Sequence, residues 1–126
     1  KDSLVFYPAI INGEVSGVAV ETWTMQGFNG LIRLMVGFNP DGTITDIAVL
    51  EHGETPGLGD KIKKDKSDFS LQFTGKDPAN FQLAVKKDNG DVNAITASTI
   101  TSRAYCDAVQ RAYDAFMENR ERLTNL

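Results

Sequence analysis

The last quarter of the chain carries the pattern that most restricts its fold, a single long amphipathic helix. Apolar side chains recur there at helical spacing, and charged or polar residues lie between them. The apolar positions are Tyr105, Val109, Ala112, Tyr113, Phe116 and Met117. A helix with one apolar stripe has to bury that stripe against another element. The covering surface must therefore come from the residues that precede the helix.

The first half of the chain supplies such a surface, because it consists of strand patterns separated by turn signals. Asn12-Gly13 is typical of a two-residue hairpin, and Pro40-Asp41-Gly42 combines a residue with fixed φ and a permissive glycine. The predicted strands are Leu4–Ile11, Val15–Thr24, Leu31–Phe38 and Thr43–Leu50. Strands followed by one helix predict an α+β fold, a mostly antiparallel sheet packed against a long C-terminal helix. At this length, residues 1–126 form one domain.

The region between the predicted sheet and the helix has weaker signals. The predictions are a loop over Glu51–Asp60, a short helix within residues 60–70, strands at Phe73, Phe81–Lys87 and Asp91–Ile95, and a turn at Asp88–Gly90. Mixed alternation in the strands predicts a sheet that is partly covered on both faces.

Composition argues against several classes of function. The net charge is −4 and the basic residues are scattered, which disfavours nucleic acid as a partner. A lone Cys106 excludes an internal disulfide and a zinc site built on several cysteines. His52 is the only histidine, so no metal site or catalytic triad is predicted. We expect the neighbouring Glu54 to be solvated, like most loop carboxylates.

Small hydroxyl side chains cluster immediately before the predicted helix. Five fall within seven positions, namely Thr96, Ser98, Thr99, Thr101 and Ser102. One interpretation is that they cap the helix N-terminus. The other is a phosphate site, because the first N–H groups of a helix and its positive dipole end favour an anion, and one hydroxyl would then be a covalent attachment point.

Two glycine-containing loops are further candidates for a binding site. In the first, Gly57 and Gly59 allow close approach of the backbone to a flat ring, and Leu58 between them can lie against one ring face. This loop does not join a strand directly to a helix, so a Rossmann dinucleotide site is not predicted. The second loop is Gly27–Gly30. One interpretation is a hairpin loop with Phe28 as an aromatic plug, and the other is a cofactor-lining loop with Phe28 as an apolar wall.

Two of these segments resemble the FMN-binding domain family. The segment Glu54–Ile62 is similar to the Glu-Thr-Pro-Gly-Leu-Gly segment of the FMN-carrying RnfG proteins of Rnf-type ion-translocating ferredoxin:NAD oxidoreductases, to which the NqrC proteins of sodium-pumping quinone reductases are related. The segment Asn93–Ser102 resembles the family's flavinylation site, whose usual form is Asp-x-x-(Ser/Thr)-Gly-Ala-Thr. Asn93 replaces the usual Asp, and Ala97-Ser98 replaces Gly-Ala.

The resemblance implies an electron-transfer subunit with FMN bound covalently to Thr99 through a phosphoester. The other cofactor-binding residues that it implies are Thr96, Ser98, Ile100, Thr101, Thr55, Gly57, Leu58 and Gly59, with Ser98 and Thr101 as alternative attachment points. It also implies a flavin transferase that uses FAD as donor, and other subunits of a membrane complex as partners. The domain would be exposed on the extracytoplasmic side of the cell membrane, tethered by an N-terminal helix that we expect to be missing from the present chain.

Two alternative functions remain open from the sequence. The first is a flavin-dependent reductase that acts on a small acceptor. The second is a non-redox binding or assembly module that has lost flavinylation, an interpretation motivated by Asn93.

Overall fold

The computed structural model describes residues 4–125, which form a four-stranded antiparallel sheet and one long helix. The strands lie in the sheet in chain order, so each hairpin joins direct neighbours. Their bounds, with that of the helix, are β1 Val5–Ile11, β2 Glu14–Gly27, β3 Gly30–Phe38, β4 Ile44–His52 and α1 Thr99–Thr124. The predicted α+β fold with a C-terminal helix on an antiparallel sheet is confirmed.

Turn chemistry determines where the first hairpins reverse. Asn12 and Gly13 have φ values of 54° and 81°, as a type I′ turn between β1 and β2 requires. The next reversal is tighter than the predicted strand ends at Thr24 and Leu31 imply, because β2 extends to Gly27 and β3 begins at Gly30. Gly27 and Gly30 pair with each other, and this leaves the segment Phe28-Asn29 as the exposed tip between β2 and β3.

The helix packs on one face of the sheet, and every second residue along the middle of β2 and along β3 is buried beneath it. Phe38 of β3 stacks on Phe116 of α1 with ring centroids 5.0 Å apart. The buried Thr22 hydroxyl of β2 donates a 2.9 Å hydrogen bond to the carbonyl oxygen of Ala108. Apolar packing and buried hydrogen bonds therefore hold α1 in one position, and this position fixes where its N-terminus lies.

The last strand departs from strict alternation. Its pairing with β3 shifts register in two places, and as a result Ile44 and Ile47 are both buried although they are three residues apart. Each extra residue is typical of a β-bulge, which redirects the side chains that follow it.

The segment between β4 and α1 contains no strand of the sheet, so the predicted strands at Phe73, Phe81–Lys87 and Asp91–Ile95 are wrong. Two 3₁₀ turns, Gly59–Ile62 and Phe69–Phe73, occupy the region of the predicted short helix. One parallel bridge joins Val85 to Val92, both fully buried.

The apolar alternation in this segment reflects burial in the core. Residues 75–76 of this segment are hydrogen-bonded to the start of β4. The Ile44 amide donates to the Lys76 carbonyl at 2.9 Å. The predicted turn at Asp88–Gly90 is confirmed, with Asn89 at a φ of 66°. Within residues 4–125, no helix combines the length and apolar character needed to cross a bilayer.

Candidate functional site

A cavity of about 300 Å³ lies where three connections meet. These are the turn between β2 and β3, the loop after β4, and the first turn of α1. The lining residues are Phe28, Thr55, Leu58, Gly59, Ala97, Ser98, Thr99, Ile100 and Thr101. The structure thus brings seven of the nine predicted binding residues to one cavity, although they come from segments about 40 residues apart.

Thr96 and Gly57 are the two predicted residues that do not line this cavity. Thr96 is exposed and borders a separate, more open depression with Asn93 and Gln72. Gly57 has a φ of 78° and acts through the backbone, since its N–H donates a 2.9 Å hydrogen bond to the Asp60 carboxylate. Its left-handed conformation, which favours glycine, turns the loop so that the next residues face the cavity.

The start of α1 explains why one hydroxyl faces the cavity. Ala97 has a φ of 64°, and this left-handed residue reverses the chain directly before the helix. The amide of Ser98 donates to the carbonyl of Ile95, and the amide of Ser102 donates to the carbonyl of Ser98, both at 3.0 Å. The N–H groups of the first helical turn that precede Ser102 have no acceptor within the helix. They lie beside the cavity with Thr99 at position one of the helix.

The hydroxyl cluster divides into separate roles, and side-chain capping by Ser98 is not one of them. The Ser102 hydroxyl is buried, accepts from the Ile95 amide at 2.9 Å and donates to the Ser98 carbonyl at 2.9 Å. The Thr101 hydroxyl is buried against Glu54. The half-buried Thr99 lines the cavity, and within residues 4–125 its hydroxyl makes no hydrogen bond. Thr99 and the buried Ser98 are thus the two hydroxyls of this cluster that line the cavity and make no hydrogen bond within residues 4–125, and Thr99 is the more exposed of the two.

Glu54 is buried, with 4 % of its surface exposed, so the expectation of a solvated carboxylate is wrong. One carboxylate oxygen accepts from the Phe28 amide at 2.9 Å and from the Thr101 hydroxyl at 2.6 Å, and the other accepts from the Asn29 amide at 2.9 Å. The Glu54 amide in turn donates to Nδ1 of His52 at 2.9 Å. His52 thus shapes the loop, and it is not among the residues that line the cavity.

Gly59 allows the loop and the helix to come this close. A Cβ at this position would lie 2.7 Å from the Thr101 hydroxyl oxygen and 2.9 Å from the Cβ of Glu54. Real Cβ atoms essentially never approach other heavy atoms so closely. Gly59 is therefore required by packing, and Gly57 is required by its backbone conformation.

The cavity has an apolar rim. Phe28, Leu58 and Ile100 are large apolar side chains that remain exposed, at 64 %, 45 % and 49 %. They come from three different segments but share one cavity. Sequence reasoning weighed Phe28 as a wall and missed Glu54 and Ala97. The run Gly-Phe-Asn-Gly was the available signal for Phe28, whereas nothing local indicated that Glu54 is buried.

Comparison with known proteins agrees with this geometry. The model of the FMN-binding domain family matches residues 27–114, which include all three cavity segments. The chain belongs to the FMN-binding domain family. FMN is accordingly the cofactor of this domain. The cavity is the candidate binding site for FMN.

Similar full-length proteins extend beyond this chain. It is 44 % identical over 126 residues to the G subunit of the ion-translocating oxidoreductase complex of Vibrio atlanticus, covering 98 % of the chain and 60 % of that protein. The corresponding protein of Shewanella oneidensis is 41 % identical over 123 residues, with coverage of 95 % and 58 %. The chain thus spans about three-fifths of the length of these relatives.

A solved structure has the same fold. The crystal structure of Shewanella oneidensis NqrC superposes with a TM-score of 0.62 at 24 % sequence identity, covering 96 % of this chain and 61 % of that one. This similarity supports the α+β architecture alone.

Proposed function

We propose that the chain is an electron-carrying domain with FMN attached through its phosphate to Thr99. The observation that carries this proposal is the convergence of a hydroxyl without an internal partner, unfilled helix N–H groups and large apolar side chains at one cavity. The FMN molecule has the matching parts, a phosphate at one end and a flat apolar ring system at the other.

The phosphate end fits the start of α1. The N–H groups of Thr99, Ile100 and Thr101 precede Ser102, whose N–H is the first to donate within the helix, and the helix dipole adds a partial positive charge there. A phosphate ester on the Thr99 oxygen would lie next to these donors. The attachment would form when the Thr99 oxygen bonds to the FMN phosphorus of FAD, AMP leaves, and the hydroxyl proton is released. A flavin transferase would supply this reaction.

The ring end fits the apolar rim. Phe28, Leu58 and Ile100 expose large apolar surfaces that a bound ring would cover, and burial of apolar area is favourable. An aromatic side chain such as Phe28 can also stack on the ring with an offset geometry. When bound, FMN would supply the redox chemistry, and the protein would position it and tune its electronics.

The relatives suggest where such a carrier works. Because they are named as subunits of an ion-translocating oxidoreductase complex, we propose that this chain passes electrons within a membrane-associated complex of that kind. Its partners would be the other subunits, and it would be tethered on the extracytoplasmic side by a helix outside this chain. Asn93 lies on the surface and outside the cavity, so its difference from the family motif leaves the proposed cofactor pocket intact.

The test is the intact mass of the chain after co-expression with an active flavin transferase. We expect wild type and Thr99→Ser to gain the mass of FMN less one water, and Thr99→Ala to gain nothing. Thr96→Ala is the matched control, because Thr96 is a neighbouring exposed threonine outside the cavity. Attachment that persists in Thr99→Ala would contradict the assignment and point to Ser98 or Thr101, or to Thr96 if it disappears in Thr96→Ala. No gain in any variant, with a control domain modified, would favour a non-redox binding module.

A further inference from the structure

We infer that the Glu54 carboxylate is the positioning group of the site, which holds the aromatic tip of the β2–β3 hairpin and the first turn of α1 in one arrangement before the cofactor arrives. This inference rests on the proposed function. It assigns to Glu54 no contact with the cofactor and no part in the electron transfer itself.

Glu54 is a buried carboxylate. A buried acidic side chain is unfavourable unless its oxygens are hydrogen-bonded. Glu54 is 4 % exposed, and both of its oxygens accept hydrogen bonds from backbone N–H groups at 2.9 Å. Hydrogen bonds to a charged acceptor are about twice as strong as neutral ones. The carboxylate therefore restrains the backbone of the Phe28-Asn29 tip, in addition to the 2.8 Å hydrogen bond that the Asn29 side-chain amide donates to the Gly53 carbonyl oxygen.

Glu54 also links the hairpin tip to the helix. The Thr101 hydroxyl donates to the same Glu54 oxygen that accepts from the Phe28 amide, at 2.6 Å. Thr101 is 2 % exposed and lies two residues after Thr99 on the first turn. One oxygen thus connects the turn that carries the aromatic wall to the turn that carries the attachment hydroxyl.

This link has a consequence for cofactor binding. A loop that is ordered before binding spares the free energy of ordering it during binding. Without the Glu54 contacts, the Phe28 ring would sample other positions, and a covalently attached flavin would be tethered at its phosphate but free to move at its ring. The structure thus separates attachment, which depends on Thr99, from immobilisation of the ring, which depends on Glu54.

The test compares Glu54→Gln and Thr101→Val with wild type, and Glu51→Gln is the matched control. Gln keeps the size of Glu54 but places an amide group against an N–H donor, and Val replaces the Thr101 hydroxyl with a methyl group. Glu51 is an exposed carboxylate on β4 that pairs with Arg33 at the surface. The first readout is amide hydrogen exchange at Phe28 and Asn29 in the chain without flavin. We expect it to be about tenfold faster in both variants and unchanged in Glu51→Gln.

The second readout is the fluorescence anisotropy of flavin attached by the transferase. We expect flavin attached to either variant to show lower anisotropy than flavin attached to wild type or to Glu51→Gln. Unchanged exchange at Phe28 and Asn29 in Thr101→Val would overturn the inferred link, and this variant decides the question even if Glu54→Gln fails to fold. Unchanged anisotropy in both variants would also overturn it. If wild type gains no FMN, the proposed function fails while the exchange experiment still decides the role of Glu54.

Discussion

At the scale of single residues, the most informative position is Ala97, which reverses the chain directly before α1. Its φ of 64° lies in the left-handed region, where an L-residue with a Cβ is strained by about 1–2 kcal/mol. The family motif has glycine at the corresponding position, and the backbone explains why. The site thus keeps its turn with a residue that is poorly suited to it.

We therefore predict that Ala97→Gly raises the free energy of unfolding by about 0.5–1 kcal/mol, because relief of strain exceeds the added entropy of the unfolded chain. Urea denaturation measures this change. The matched control is Ala94→Gly, an exposed alanine three residues earlier with ordinary φ, which we expect to be neutral or destabilising. Equal effects of the two substitutions would contradict the strain at Ala97.

At the scale of elements, the sequence predicted best where local chemistry decides the outcome. Asn12-Gly13 specified its hairpin, and the helical stripe specified α1, because turn dihedrals and amphipathic spacing are properties of neighbouring residues. The predicted strands Phe81–Lys87 and Asp91–Ile95 failed, since an apolar alternation reports burial and does not say whether a partner strand is available.

The candidate site shows the same division. Thr99, Leu58 and Gly59 were predicted from two local motifs. The burial of Glu54 was not, because its partners Phe28 and Thr101 are 26 and 47 residues away in the sequence. Contacts of that kind depend on how three connections meet in space.

A substitution at Gly59 measures how closely the loop after β4 and the first turn of α1 must approach each other. We predict that Gly59→Ala lowers the free energy of unfolding by about 2–3 kcal/mol, because the added methyl group would overlap Thr101 and Glu54 in a packed region. Gly57→Ala is the comparison, since it strains φ but meets no atom within 4 Å, and we expect it to cost about 1 kcal/mol. Urea denaturation ranks the two variants. A larger loss for Gly57→Ala would show that conformation, not contact, dominates in this loop.

At the scale of the whole molecule, the face of α1 that holds the helix to the sheet carries two ionisable side chains. Tyr105 and Cys106 are both buried among the core residues. Burial raises the pKa of the Cys106 thiol from 9.0 to about 12, and it also raises the pKa of Tyr105. Within residues 4–125, the Tyr105 hydroxyl has no hydrogen-bond partner. Both groups are thus stable in the core only in their neutral forms.

These shifts predict that the whole fold loses stability in alkali. Above about pH 9 the unfolded chain releases the Cys106 proton, whereas the folded chain retains it up to about pH 12. The stabilisation is therefore complete below pH 9 and is lost progressively as the pH rises from 9 towards 12, with a slope of about 1.4 kcal/mol per pH unit from this thiol. We expect Cys106→Ala to remove that part of the slope, measured by urea denaturation at pH 7 to 11. The two proteins should show parallel curves of unfolding free energy against pH below pH 9, so a constant offset at every pH would contradict a buried neutral thiol.

Because Cys106 lies on the same helix that begins at Thr99, loss of this packing would also release the proposed attachment turn. Alkaline unfolding should therefore free an attached flavin's ring at the same pH at which the helix detaches from the sheet.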